Sequence, residues 1–246
     1  MNKDIERRTI ETCFSPALFP YIQTSGDFIV VIVDVLRATT AICTAFKNGA
    51  LEMIPVAKIE DTHKYKGLGY MIAGERDGIV IEGADFGNSP FNFTEDNVKD
   101  KKIVITTTNG TQAISQASAS KTVVLGAFSN ISVLSNWLCK QNKDIVVFCS
   151  GWKNKFNLED TIMAGALSEM LMKKSFNTDF DCTYAAIDLW NIAKPDILEY
   201  IEKASHRHRL KNIGLDDVLE YCFKNDTANV IPFLKDGILV NVLENI

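Results

Sequence analysis

Residues 28 to 33 read Phe-Ile-Val-Val-Ile-Val, an unbroken apolar run that stops at Asp34. With no polar alternation, the run fits a central strand buried on both faces, as in a parallel sheet covered by helices. Thr39 or Thr40 can then cap a helix with Ile42, Ala45 and Phe46 on one face, and Gly49 can close it. Residues 51 to 57, 79 to 81 and 103 to 105 are further strand candidates. The strand-then-helix pattern returns at Ile103-Val104-Ile105, after which Thr111 can cap a helix carrying Ile114 and Ala117. It returns again at Thr122 to Ala127, with Asn130 capping a helix through Ile131, Leu134 and Leu138. A third unit starts at Ile145-Val146-Val147-Phe148 and leads to a helix with Met163, Ala166, Leu167, Met170 and Leu171 on one face.

Alternating strands and helices imply an α/β chain with a largely parallel or mixed sheet and helices on both faces. Thr39-Thr40-Ala41-Ile42 resembles Thr111-Gln112-Ala113-Ile114, a hint of internal duplication. After about Thr178 the chain reads as helices, with a short strand near 230–233 or 238–240 to finish the fold. No low-complexity linker marks a boundary, so residues 1–246 are read as one domain, with any duplicated lobes undivided.

Composition sets the outer limits. Of 246 residues, 46% are hydrophobic and 23% charged, which is ordinary for a globular protein. The net charge of -5 argues against bulk binding to nucleic acid. It leaves room for a local arginine cluster that binds a small anion. No run of eighteen apolar residues suggests a membrane span, and the start Met1-Asn2-Lys3-Asp4-Ile5-Glu6-Arg7-Arg8 lacks the apolar core of a secretion signal. The cysteines, at 13, 43, 139, 149, 182 and 222, are scattered without a C-x-x-C, as expected of reduced thiols in a cytoplasmic protein. Assembly into a homo-oligomer is left open.

The chemistry should lie beyond the carboxyl ends of the parallel strands. Three strand ends carry polar clusters: Asp34 to Thr40, Thr106 to Thr111, and Cys149-Ser150-Gly151 followed by Asn157-Leu158-Glu159-Asp160. Gly74-Glu75-Arg76 and Asp85 to Pro90 lie between them. Hydroxyls and N–H groups at helix starts bind phosphate. Arginine forks grip oxyanions. Asp34, Glu75, Glu159 and Asp160 are hard oxygen ligands suited to magnesium. Each has a plainer reading. Asp34 can be a turn former, Glu159 and Asp160 can offset a helix dipole, Thr106 to Thr108 can be ordinary strand residues, and Asn88-Ser89-Pro90 reads first as a turn. It is their gathering at strand ends that favours a site.

Several familiar hydrolase patterns fail. A D-x-D motif would need Asp where Leu36 stands, and a C-x5-R loop from Cys149 would need Arg at Lys155. No G-x-S-x-G elbow or Walker A loop occurs. Of the histidines His63, His206 and His208, the last two sit in Ser205-His206-Arg207-His208-Arg209, which reads as a solvated charged stretch.

The motifs Val33-Asp34-Val35-Leu36-Arg37-Ala38-Thr39-Thr40, Gly74-Glu75-Arg76, Gly87-Asn88-Ser89-Pro90, Thr106-Thr107-Thr108-Asn109-Gly110-Thr111 and Leu158-Glu159-Asp160 occur in this order. With Cys149 and the C-terminal Val230-Ile231-Pro232, the set resembles the 2-phosphosulfolactate phosphatase (ComB) family. The resemblance implies a three-layer α/β/α fold and a magnesium-dependent phosphatase that converts 2-phospho-3-sulfolactate to 3-sulfolactate and phosphate, a step toward coenzyme M. It places Asp34, Arg37, Glu75, Arg76 and Asp160 in catalysis. Thr39, Thr40, Asn88, Ser89, Thr107, Thr108, Asn109, Gly110 and Thr111 would contact the substrate. The metal carboxylates would come from Asp34, Glu75, Glu159 and Asp160. Arg37 and Arg76 would neutralise charge and hold the sulfonate or carboxylate. Ser150 departs from an expected Ala, and Trp152 puts a bulky ring beside the site that would reshape the pocket. A competing route uses Cys149 as a covalent nucleophile. Two other readings are a phosphatase of another small ester and a non-catalytic binder of a phosphorylated or sulfonated acid.

Overall fold

In the computed structural model, residues 8–22, 27–120 and 122–245 are described. Most of the charged N-terminal octet, residues 1–7, lies outside them.

The strands are β1 (Arg8–Cys13), β2 (Phe28–Val33), β3 (Glu52–Pro55), β4 (Met71–Arg76), β5 (Ile79–Val80), β6 (Lys102–Thr106), β7 (Thr122–Gly126), β8 (Asp144–Cys149), β9 (Phe176–Asn177), β10 (Pro232–Lys235) and β11 (Ile238–Asn241). The helices are α1 (Ala38–Lys47), α2 (His63–Lys66), α3 (Glu95–Val98), α4 (Gly110–Ala117), α5 (Ile131–Lys140), α6 (Leu158–Met172), α7 (Asp181–Ala193), α8 (Ile197–Ile201), α9 (Ser205–Asn212) and α10 (Leu219–Cys222). One sheet runs in the order β5-β4-β6-β3-β11-β10-β7-β2-β8-β1-β9. It holds two parallel blocks, β4-β6-β3 and β7-β2-β8-β1-β9. The antiparallel hairpin β10–β11 joins them at the centre.

The alternation of β2 explains the layers. Ile29, Val31 and Val33 face one core with α5, α6 and α7, including Leu134, Leu138, Ile162, Leu167 and Trp190. Val30 and Ile32 face the other core with α1 and α4, including Ile42, Phe46, Ala113 and Ile114. All five β2 residues are 0% exposed, and each fully buried aliphatic side chain contributes roughly 1.5–3 kcal/mol. The result is the α/β/α arrangement with a mixed, largely parallel sheet that the sequence implied.

Differences from the sequence reading have local causes. Residues 79–81 form only the two-residue edge strand β5, antiparallel to β4. The final short strand is both candidates at once, paired as the hairpin β10–β11. The chain after Thr178 is mostly helical, as expected, although Ser205–Asn212, read as a solvated charged stretch, forms a helix of its own. Gly49 sits at φ 90 just past α1, in the left-handed region that glycine enters freely. Thr39 and Thr111 do not cap their helices, because α1 and α4 begin at Ala38 and Gly110. The capping acceptors lie four residues earlier: Asp34 Oδ1 accepts from Ala38 N, and Thr107 Oγ1 accepts from Thr111 N. Asn130 precedes α5 but directs Oδ1 to Ala127 N and Nδ2 to Leu125 O and Val230 O, which ties β7 to the C-terminal segment.

Two packing features bear on the site. A Cβ on Gly165 would lie 2.0 Å from Ala186 O, so α6 and α7 cross in direct backbone contact. A Cβ on Gly110 would lie 2.6 Å from Ala38 Cβ and 2.8 Å from Asp34 Oδ2. In sheet order, β2 and β6 are separated by β3, β11, β10 and β7. In a flat sheet that is about 24 Å, more than the few loop residues span. The sheet therefore curls, and the starts of α1 and α4 meet over its carboxyl edge. No helix among the described residues is long and apolar enough to cross a membrane. The cysteines are free thiols.

Candidate active site

Two strand ends share one local design. After β2, the Thr39 hydroxyl accepts from Asp34 N (3.1 Å) and donates to Asp34 O (2.9 Å). After β6, the Thr111 hydroxyl accepts from Thr107 N (3.1 Å) and donates to Thr107 O (3.0 Å). Each threonine folds the strand end back onto its helix start. The likeness of the two T-x-A-I segments thus has a structural counterpart. Thr40 donates to Val35 O, so neither Thr39 nor Thr40 directs its hydroxyl proton to the cleft.

The cleft between these turns is lined by Asp34, Arg37, Glu75, Asn88, Thr107 and Asn109 from the motif positions. Glu75 is locked in place: Oε1 accepts from Thr108 N (2.8 Å) and Oε2 from Gly78 N (2.7 Å). Asn109 Oδ1 accepts from Lys153 N (3.1 Å) and fixes the Trp152 turn. Asn88 is buried, and its Oδ1 has no hydrogen-bond partner. Ser89 accepts from Phe91 N and serves as a turn cap outside the lining. Arg76 also lies outside it. Its guanidinium donates to Glu75 O, Ala57 O and Thr106 Oγ1, so it clips β4 to β6 and does not face the cleft.

The far wall comes from a segment read as solvated in the sequence. His206 is 6% and Arg207 7% exposed. His206 Nδ1 donates to Glu159 Oε1 across 2.6 Å. Glu159 Oε1 also accepts from Asn157 Nδ2, while Oε2 has no partner. Trp152 places its ring 5.4 Å from His206 and under the Arg209 guanidinium, 3.0 Å from centroid to carbon. His206, Arg209, Leu210 and Ile213 all line the cleft. Their spacing is i, i+3, i+4, i+7, one helical face. That period was the signal available in the sequence, hidden by the charge of the residues carrying it. Trp152, whose bulk was expected to reshape the pocket, is itself part of the cleft lining.

Electrostatics single out three groups. Burial pushes the Asp34 carboxyl up to about 6, with Glu75 and Glu159 adding to the rise while His206 and the Ala38 N–H oppose it. Burial also lowers the Arg37 guanidinium, although Glu75 and Asp34 act in the opposite direction. Arg37 is 5% exposed, and its guanidinium makes no hydrogen bond or ion pair with the described residues. Asp160 is raised well above the carboxylate range, first by burial and then by Asp34 and Glu159. It accepts from Val35 N, Gly151 N and Asn157 Nδ2. Asp160 therefore knits three loops together beneath the cleft.

The four candidate carboxylates do not form one cage. Among the described residues, no three His, Cys, Asp or Glu side chains are gathered as metal ligands. Asp160 and Glu159 stand behind the wall, and only Asp34 and Glu75 reach the lining. A smaller donor set does fit magnesium, which commonly takes one or two protein oxygens and completes its shell with water and phosphate. Asp34 and the unpartnered Asn88 Oδ1 are such oxygens.

Cys149 is 0% exposed inside the core, with its thiol raised well above 9.0 by burial and the Asp160 charge. A protonated, buried thiol is a poor nucleophile. Cys149→Ala is expected to keep phosphate release within about threefold of wild type, since buried small-residue changes act mainly on stability. Loss of all release, with a phosphorylated cysteine trapped in wild type, would restore the covalent route.

Comparison with known proteins identifies relatives along most of the chain. The profile of the family described as 2-phosphosulpholactate phosphatase matches residues 13–237. A protein of Clostridium novyi (strain NT) named "Probable 2-phosphosulfolactate phosphatase" is 38% identical over 208 residues, 82% of this chain and 87% of its own length. Proteins of the same name from Caldanaerobacter subterraneus subsp. tengcongensis and Clostridium beijerinckii are 35% and 37% identical, each over 85% of this chain and over 89% and 90% of their own lengths.

Proposed function

We propose, since this chain belongs to the 2-phosphosulfolactate phosphatase family, that its cleft hydrolyses 2-phospho-3-sulfolactate to 3-sulfolactate and phosphate with magnesium bound. The observation that carries this reading is Arg37 beside Asp34, a buried guanidinium with no partner among the described residues. Leaving a charge buried and unpaired costs several kcal/mol, which an incoming oxyanion relieves.

In the reaction, a water oxygen bonds to phosphorus, the P–O bond to the lactate carbon's oxygen breaks, and that oxygen takes a proton. Asp34 and Asn88 would hold magnesium, which supplies Lewis-acid polarisation of the phosphoryl oxygens and of water. Arg37 binds the phosphoryl oxygens, and the start of α4 at Asn109-Gly110 offers its unpaired N–H groups to the same charge. Gly110 has no side chain because one would strike Asp34 Oδ2, so the backbone there can approach the substrate closely. Glu75, held by Thr108 and Gly78, fixes the loop that carries Thr107 and Asn109. His206 is oriented by Glu159 through Nδ1, and in its imidazolium form the second N–H, on Nε2, would give its proton to the departing alkoxide. Such placement accounts for most of what phosphoryl transfer needs.

The test is phosphate release from 2-phosphosulfolactate by the purified protein, with magnesium and with a chelator, beside 2-phospholactate and phosphoglycerate. Release confined to magnesium and to the sulfonated ester is expected. Release unaffected by the chelator removes the metal. Release from another ester alone moves the substrate, and no release from any favours a binding protein.

A further inference from the structure

We infer that Arg209, held on the face of Trp152, is a specificity-determining residue of this cleft and receives a second oxyanion that the substrate carries apart from its phosphate. The inference deepens the phosphatase reading and rests on it for the identity of the first anion.

Among the described residues the other arginine side chains are paired. Arg8 donates to Cys139 O, Arg76 donates to two carbonyls and a hydroxyl, and Arg207 bridges Glu202 and Asp216. Among the described residues, only the guanidinium groups of Arg37 and Arg209 have no hydrogen-bond or ion-pair partner, and both residues line the cleft. Arg209 is partly buried, two residues beyond a paired arginine on the same helix. Its charge feels Glu159, Asp77, Glu75 and Asp34, yet it bonds to none of them.

Trp152 supplies the reason. With the guanidinium carbon 3.0 Å from the indole centroid, stacking fixes the plane of the fork and leaves its edge N–H groups free. The indole itself is held by the Trp152–Lys155 turn, whose Gly151 stands at φ 59 with no room for a Cβ against Lys155 O. The turn is further tied by Lys153 N to Asn109 Oδ1, which links the Trp152 platform to the α4 start. A simple phosphate monoester brings one anionic group, which Arg37 and the helix starts satisfy. A second preorganised, unpaired fork in the same cleft is matched by a substrate with two anionic groups. A sulfonate and a carboxylate share this chemistry, and the assay distinguishes them.

The experiment compares wild type, Arg209→Gln, Arg209→Lys and Trp152→Leu as full-length proteins with magnesium present. Calorimetry measures binding of 3-sulfolactate, lactate and inorganic phosphate. Kinetics measure kcat/KM on 2-phosphosulfolactate, 2-phospholactate and isopropyl phosphate, which lacks the second acid. The expected result in Arg209→Gln is a fall of about 10- to 100-fold in 3-sulfolactate affinity relative to phosphate affinity, with a matching collapse of the preference over isopropyl phosphate. Arg209→Lys keeps the charge but not the fork and should recover only part of the preference. A loss for lactate and 2-phospholactate as large as for the sulfonated pair, with phosphate affinity unchanged, would assign the fork to the carboxylate, and a loss confined to the sulfonated pair would assign it to the sulfonate. Phosphate binding by each variant shows that it is folded. Equal weakening toward all three ligands would overturn the inference. Wild type that binds 3-sulfolactate through Arg209 but releases no phosphate would retain the inference and refute the phosphatase reading.

Discussion

Asp34→Asn is expected to lower phosphate release by about 10³-fold or more and, at the same time, to raise the stability of the metal-free protein at neutral pH. Both effects follow from the position of one carboxylate. Asp34 is 7% exposed, and its pKa is about 6 in the folded chain, against an ordinary carboxylate value of 3.8. The folded state therefore holds the Asp34 proton more tightly than the unfolded state does. Above pH 6 both states are ionised, and burial of the charge costs the fold about 3 kcal/mol. As pH falls from 6 toward 4 the folded carboxyl protonates first and the cost fades. Below about 4 it is gone. Asparagine keeps the acceptor for Ala38 N and carries no charge, so the variant should gain about 1–2 kcal/mol at pH 7.5 after losses in hydrogen-bond strength. The gain should vanish near pH 4. Urea unfolding in a chelator at pH 7.5, 6 and 4, alongside phosphate release with magnesium, reads both effects. A variant that is active, or one that is less stable than wild type at pH 7.5, would show that Asp34 is a structural cap and nothing more. Because metal binding favours the ionised form, magnesium should reduce the stability difference.

The parts of the fold readable from sequence were those with strong period and no competing signal. β2 has the bounds its apolar run gives, and α6 carries the expected face through Met163, Ala166, Leu167 and Leu171. β1 was not read because the charges of Arg8 and Glu11 break any apolar run in Arg8-Thr9-Ile10-Glu11-Thr12-Cys13, and β4 because Met71-Ile72-Ala73-Gly74-Glu75-Arg76 mixes charge and small residues with one β-branched residue. Pairing in register with β8 and β6 fixes both as strands. The motif positions Asp34, Arg37, Glu75, Asn88, Thr107 and Asn109 meet at one cleft although the sheet order sets their strands far apart. Nothing local announces the curl that brings them together, and only the shared motif pattern linked them. Arg76 and Arg209 show the converse. Equal in charge and composition context, they differ in whether nearby carbonyls satisfy the guanidinium, which depends on tertiary contacts alone.

His206→Ala should be the most disruptive change on the far wall, lowering stability by about 3–5 kcal/mol, because it strips the buried Glu159 carboxylate of its partner. Glu159 is 1% exposed, its Oε2 has no partner, and without His206 its Oε1 keeps only Asn157 Nδ2. The cost is thus an uncompensated charge more than a lost contact. Two measurements separate this from the role in catalysis. Adding Glu159→Gln to His206→Ala removes the buried charge, and the double variant should regain a large part of the lost stability in urea unfolding. It should regain none of the lost turnover, which is expected to fall about 10²- to 10³-fold when the proton donor is absent. The leaving group supplies the second separation. An aryl phosphate such as p-nitrophenyl phosphate releases an anion that needs no proton, so its hydrolysis should fall far less in His206→Ala than that of an alkyl ester. A parallel fall for both esters would reduce His206 to a counter-charge for Glu159. A double variant no more stable than His206→Ala would mean that the loss comes from packing and hydrogen bonding at the far wall and not from an unpaired carboxylate.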